Sequence, residues 1–228
     1  MPDESTRSLL DHGFVRLVDT MGGDAAIVQA ARVSYGGGTK TQREDAGLIR
    51  YLVKNRHTTP LEMVQFKFHV KLPIFVARQW IRHRMGTFNE VSARYSVLPA
   101  EFYIPEVEHI TTQDTKNRQG RGLEQVADAK YAREIFLRQS IDSYHEYELL
   151  LDLGVARELA RMVLPLNIYT EWYWKVDLHN LMGFLGLRLD PHAQWEMRQY
   201  AQALLELARP VAPVAFAAWE ERNAASAV

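Results

Sequence analysis

Within the thirteen residues from Arg82 to Arg94 the chain gathers three arginines, a histidine, a carboxylate and a serine: Arg82-His83-Arg84-Met85-Gly86-Thr87-Phe88-Asn89-Glu90-Val91-Ser92-Ala93-Arg94. Gly86 and Asn89 supply bends. A planar guanidinium matches phosphate and carboxylate oxygens two at a time, so this density of arginines suits a site that holds phosphates and a charged heterocycle. The cluster carries +3 against −1 from Glu90, in a chain whose formal net charge is only −1. Two or three charge-assisted hydrogen bonds at ~1.5–3 kcal/mol each account for micromolar binding once the cost of association is subtracted. The chain has no cysteine. That excludes disulfides, thiolate zinc sites and a thiol nucleophile together.

Taken singly, Arg82 and Arg84 read as surface arginines near a helix C-terminus, where cations favour the dipole; their grouping with Arg94 points to a ligand. Of the basic residues 20 are Arg and 7 are Lys, a bias that base composition alone can produce, though not the local cluster. Ser92 has two readings. As a nucleophile it needs a base, and only His83 or Glu90 is near in sequence, with no Ser-His-Asp order evident. As a hydroxyl donating to a phosphate it needs nothing more. His57, His69, His83, His145, His179 and His192 show no metal-ligand spacing, so no metal is expected. His69 falls on the polar side of a strand and reads as solvated. Trp172-Tyr173-Trp174 reads as an aromatic strand in a core.

The elements that position the cluster follow from periodicity. Val64 to Lys71 alternates apolar and polar strictly, as a half-buried strand does. Phe14 to Met21 and Leu166 to Val176 also read as strands. Asp24 is expected to cap a helix through about Ser34, broken by Gly36-Gly37-Gly38. Arg43 to Asn55 has Leu48, Tyr51 and Leu52 on one side. Pro73 suits the first turn of a helix from Ile74 to about His83, so the cluster begins where that helix unwinds. If 90–94 is extended, Glu90, Ser92 and Arg94 share one side. Leu123 to Leu153 reads as a long helix stopped by Gly154, with Val155 to Leu164 helical until Pro165. Asp177 caps a short helix to Leu187. Asp190-Pro191 opens the most amphipathic helix, with Met197, Tyr200, Ala201, Leu204, Leu205 and Ala208 inward. The expected fold is α+β: a mixed, largely antiparallel sheet packed with helices, one of them long, in a single domain over 1–228, with a tail at 1–12 and a mobile loop at 108–122. No apolar run approaches the ~20 residues of a membrane span. The acidic start Met1-Pro2-Asp3-Glu4-Ser5 does not read as a signal peptide, so a cytoplasmic protein is expected.

Arg82-His83-Arg84, seven residues, then Ser92 resembles the signature of the flavin-dependent thymidylate synthases. The resemblance runs from about Phe14 to about Ala208. It includes Ala31-Arg32-Val33-Ser34, His57-Thr58-Thr59-Pro60-Leu61-Glu62, Pro73-Ile74-Phe75-Val76-Ala77-Arg78-Gln79-Trp80, Arg161-Met162-Val163-Leu164-Pro165-Leu166-Asn167, and Arg188 with His192-Ala193-Gln194. It implies reductive methylation of dUMP to dTMP, with 5,10-methylenetetrahydrofolate as carbon donor, FAD as hydride carrier and NADPH as reductant. It implies nucleotide contacts at Gln79, Trp80, Ile81, Arg82, Glu90, Val91, Ser92, Ala93, Arg94, Arg161 and Arg188. FAD contacts are implied at Ser34, His57, Thr59, Arg82, His83, Arg84, Glu90, Asp177, Leu178, His179 and Gly183. A homotetramer with sites shared between subunits is implied as well. With no thiolate to add at C6, the uracil ring becomes electron-rich by ionisation at N3. Arg188 matches the family residue that stabilises the resulting anion. The chain departs from the family pattern at Asp177, His179 and Gly183, where relatives carry Asn, Arg and Asn or His, and at Met63, often His.

Two other functions compete. A nucleic-acid-binding protein would use the arginines with interleaved aromatics, but the near-zero net charge and the lack of a long basic face argue against it. An FAD enzyme acting on a different nucleotide would share the cluster. Neither nucleic acid nor membrane is expected as a partner.

Overall fold

Strict alternation makes β3 (Gln65–Pro73) the central strand. Phe66, Phe68, Val70 and Leu72 are fully buried on one side, and Lys67, His69 and Lys71 take the other. The structure, a computed structural model, describes residues 4–33, 42–116 and 118–226. β3 pairs antiparallel with β2 (Gly13–Met21) and with β7 (Tyr169–Asp177). The register sets Phe68 opposite Trp174 and Val70 opposite Trp172, so these side chains share one face of the sheet. β4 (Thr87–Glu90) adds to the far side of β7, and β1 (Thr6–Leu9) to the far side of β2. The five-stranded order is β1-β2-β3-β7-β4, antiparallel throughout.

Helices α3 (Ile74–Trp80), α6 (Leu178–Arg188) and α7 (Trp195–Ala208) bring apolar residues to this face. Trp80 sits at the centre, within 4.9–6.1 Å of the rings of Trp172, Trp174, Phe184 and Tyr200. The expected inward face of α7 is buried throughout. α1 (Asp24–Arg32), α2 (Gln42–Lys54) and α8 (Pro213–Ser226) complete the fold, with Ile49, Leu52 and Val53 as the buried face of α2. Tyr51 lies outside that face, stacked on His57. The long helix α4 (Ala129–Asp152) buries only Ala129, Ser140 and Tyr147.

Several expectations change. Asp24 does not cap α1; its carboxylate accepts from the backbone N–H groups of Val214 and Ala215 at 2.9 and 3.0 Å and caps α8, a helix not expected from the sequence. The 1–12 segment contains strand β1. Residues within 108–122 form β5 (Thr111–Gln113) and the start of β6 (Arg121–Gln125), an antiparallel hairpin. The long helix therefore begins at Ala129, capped by Asp128, rather than at Leu123, which is fully exposed. α3 stops at Trp80 and α7 starts at Trp195. The Asp190 carboxylate instead accepts from the His192 N–H at 2.7 Å, holding a local turn where a helix was expected. Asp177 caps α6 as expected, accepting from Asn180 N–H at 2.9 Å. Gly154, at φ +80°, ends α4. The segment Gly36-Gly37-Gly38 lies outside the described residues.

His69 is not a solvated histidine. Arg16 Nη2 donates to its Nδ1 at 2.8 Å, leaving Nε2 to donate to Glu171 at 3.0 Å, with Tyr173 stacked on the ring.

Candidate active site

The chain after α3 turns at once: His83 N–H reaches back to Trp80 C=O at 2.9 Å. Gly86 then passes so close over Trp174 that a Cβ there would lie 2.3 Å from Nε1, so only glycine lets the strand β4 form where it does. His83 rests edge-on against Phe184. Its Nε2 accepts a hydrogen bond from Arg188 Nε at 2.9 Å, across 105 residues of sequence. An acceptor nitrogen next to a permanent cation cannot carry a proton. Burial, and then the Arg188 charge, accordingly hold the His83 pKa below the ordinary 6.5. Burial also lowers that of Arg188, which stays charged. His83 and Gly183 share a cavity of about 220 Å³ with Met85, Trp174, Asn180 and Leu187.

A second cavity, of about 540 Å³, gathers Glu90, Val91, Ser92, Ala93 and Arg161 beneath Ile74 and Leu166. β4 ends at Glu90, whose carboxylate accepts from Thr170 Oγ1 at 2.6 Å. After Val91 the chain turns, with Tyr95 and Ser96 N–H bonding Ser92 C=O. Glu90, Ser92 and Arg94 therefore do not alternate along a strand as expected; a turn brings 91–93 to the cavity wall instead. Arg94 extends outward, 3.7 Å from Glu158 and over the Tyr95 ring. Arg161 is held by Nε to Glu158 C=O. Ser92 Oγ accepts from Arg94 N–H at 3.3 Å, and among the described residues no imidazole or carboxylate hydrogen-bonds it.

Other expected contacts fall elsewhere. Trp80 and Leu178 are fully buried in the core, so neither side chain reaches a ligand. Ile81, Arg82 and Arg84 are exposed, Gln79 is half-buried, and Gln79 donates to Gln194. Both Asp177 carboxylate oxygens accept from Asn180, capping α6. His57 and Thr59 lie exposed in the turn after α2, and His179 is half-buried at the start of α6. Ser34 lies outside the described residues. On one chain, then, the residues divide: Glu90 to Ala93 with Arg161 in one cavity, His83 and Gly183 in the other with Arg188 bonded to His83. Thr170, which orients Glu90, was missed. Its signal is a polar residue in phase with Trp172, Trp174 and Val176 on the buried face of β7.

Comparison with known proteins adds the following. A family model described as thymidylate synthase complementing protein matches residues 16–214. A flavin-dependent thymidylate synthase from Gluconobacter oxydans is 58% identical over 217 residues, 93% of this chain and 72% of that one. One from Thermus thermophilus is 59% identical over 219 residues, 95% and 78%. Among solved structures, a UMP/dUMP methylase, PolB from Streptomyces cacaoi bound with 5-Br dUMP, superposes with a TM-score of 0.85 at 34% identity, over 94% of this chain and 97% of that one.

Proposed function

Because the chain belongs to the flavin-dependent thymidylate synthase family, we propose that it converts dUMP to dTMP with methylenetetrahydrofolate as carbon donor and NADPH as reductant. The residues fit a flavin. The Gly183 side of the smaller cavity is open, since a Cβ there meets nothing within 4 Å. The wall beside it is largely flat and apolar, with Trp174, Val176, Phe184 and Leu187, and His83 and Asn180 add the polar groups. A flat heterocycle matches both features. His83, Gly183, Arg82 and Arg84 would hold the group, with His57 and Thr59 from the turn after α2. When bound, it supplies the hydride.

The chain's own residues do the rest. Arg161, Ser92 and the turn at 91–93 grip the monophosphate, and Glu90, fixed by Thr170, orients the sugar or base. Arg188 presents its guanidinium to the pyrimidine and stabilises the anion left when N3 gives up its proton. His83, neutral and accepting, keeps Arg188 from swinging away. The observation that carries this reading is the Arg188–His83 bond, which fixes a cation against His83, a wall residue of the cavity that suits the flavin.

The division of the site between two cavities supports a complete centre built from several copies. So does the apolar stripe on α4, where Tyr131, Ile135, Ile141 and Leu149 are exposed. We propose four copies, a homotetramer of mass four times 26.3 kDa. No helix among the described residues is long and apolar enough to cross a membrane, and a cytoplasmic enzyme of nucleotide synthesis fits that.

The test is direct. Purified protein should be yellow, its flavin spectrum should change on adding deoxyuridylate, and it should release tritium from C5-labelled deoxyuridylate with NADPH and methylenetetrahydrofolate. Uridylate belongs in the same assay, because the PolB neighbour is described as acting on both. Colourless protein that binds oligonucleotides with a steep salt dependence would reject the proposal.

A further inference from the structure

Glu196, in the first turn of α7, is a carboxylate only 2% exposed. Four hydrogen bonds converge on it. Arg121 Nη2, from β6, donates to both oxygens at 2.6 and 2.5 Å. The Tyr103 hydroxyl donates to Oε1 at 3.1 Å, and Gln194 Nε2 to Oε2 at 3.0 Å. Burial and the nearby Glu196 push the Tyr103 pKa far up, so it remains a donor. Arg121 also donates from Nη1 to His109 C=O at 2.9 Å, and the His109 ring stacks on Trp195. The hairpin is thus fastened to the start of α7 by a charge, and the turn before it by a ring contact.

Polarity propagates from this point. An ionised carboxylate accepts only, so the Gln194 group facing it must be the NH₂. That turns the Gln194 carbonyl oxygen the other way, where it accepts from Gln79 Nε2. Gln79 in turn has its NH₂ engaged and its own Oε1 left over. Gln79 lies in the last turn of α3, three residues before Arg82, where the chain leaves the helix for the arginine cluster.

We propose that Glu196 is a positioning residue, and that the Arg121–Glu196–Gln194 chain fixes Gln79 as a hydrogen-bond acceptor for an N–H or O–H of the nucleotide. The inference rests on the reading of Gln79 as a nucleotide contact. The β5–β6 hairpin thereby gains a role in binding, since through Arg121 it holds the amide that meets the substrate.

The experiment compares steady-state constants, flavin content and melting temperature for Gln194→Leu, Gln79→Leu, their double variant, Arg121→Leu and Arg121→Lys. Gln194→Leu removes one uncharged link and leaves the Arg121–Glu196 pair in place, so folding is kept. KM for deoxyuridylate should rise about tenfold, the weight of one oriented hydrogen bond, with kcat and bound flavin unchanged. Arg121→Leu should do the same and Arg121→Lys should recover part of the loss. The double variant should be no worse than Gln79→Leu alone, because both act on one bond. An unchanged KM in Gln194→Leu, or additive effects in the double variant, overturns the proposal. If Gln79→Leu alone has no effect while the parent enzyme turns over, the relay falls and the thymidylate synthase reading stands. A parent protein with no flavin and no turnover rejects that reading itself.

Discussion

Replacing Arg188 by Met keeps a long apolar stem beside His83 and deletes the charge. A cation held about 4 Å from a developing ring anion is worth ~4 kcal/mol at the effective dielectric of a partly exposed site. Loss of one preorganised donor elsewhere costs ~10²–10³ in kcat, or ~2.7–4 kcal/mol. The two estimates agree, so Arg188→Met should lower kcat by ~10²–10³ while flavin stays bound. The assay is tritium release from C5-labelled deoxyuridylate under saturating NADPH and folate, with flavin content measured on the same samples. Arg188→Lys retains the charge but has no Nε–H to give His83, so it should fall between the two. Removing the Arg188 charge also removes one of the two causes that hold the His83 pKa down. Any acid limb of the rate profile set by His83 must then move to higher pH in Arg188→Met. Parent-like turnover in flavin-bound Arg188→Met would refute the assignment of the anion-stabilising role.

Further expectations concern stability. His83 is held below its ordinary 6.5 in the folded chain, so on acidification the unfolded chain takes up that proton first. Its contribution is fully present above about pH 6.5 and is lost as pH falls from there through the folded value; the stability difference between parent and His83→Asn, measured by urea melts across that range, should shrink toward acid, and a pH-independent difference counts against it. Gly86→Ala sets a Cβ against Trp174 and should cost ~1–3 kcal/mol, read as a fall of a few degrees in Tm; an unchanged Tm would mean the close approach relaxes freely. Asp24→Ala removes the cap of α8 and should lower the urea midpoint by the equivalent of ~0.5–2 kcal/mol, with no change in KM for the nucleotide.

What could be read in advance depended on range. The inward face of α7 and the Asp177 cap obey rules that reach four residues along the chain, and so does the alternation of β3. Asp24 broke the same rule. Its own helix offered it free N–H groups, but α8 arrives alongside and offers two others, 190 and 191 residues away. Trp80 shows the same limit for the site. It lies in the helix that delivers the arginines and resembles a ligand contact by position, yet a buried ring cluster claims it. The hairpin within 107–125 was unreadable because its short strands carry polar residues, and its anchor, Glu196, is a buried charge that only a partner on another element makes tolerable.

The composition of the arginine cluster, the lack of cysteine and the periodic strands and helices were decided by the sequence alone, because each is a property of residue type and local spacing. The pairing of β3 with β7 was needed for everything else. α3 follows one strand and α6 the other, and both pack on the aromatic face that the register creates. Only that packing brings His83 within 2.9 Å of Arg188 and separates both from the turn at 91–93. Hydrogen bonds between residues a hundred positions apart have no local signature; they exist because burying tryptophans fixes the elements that carry them.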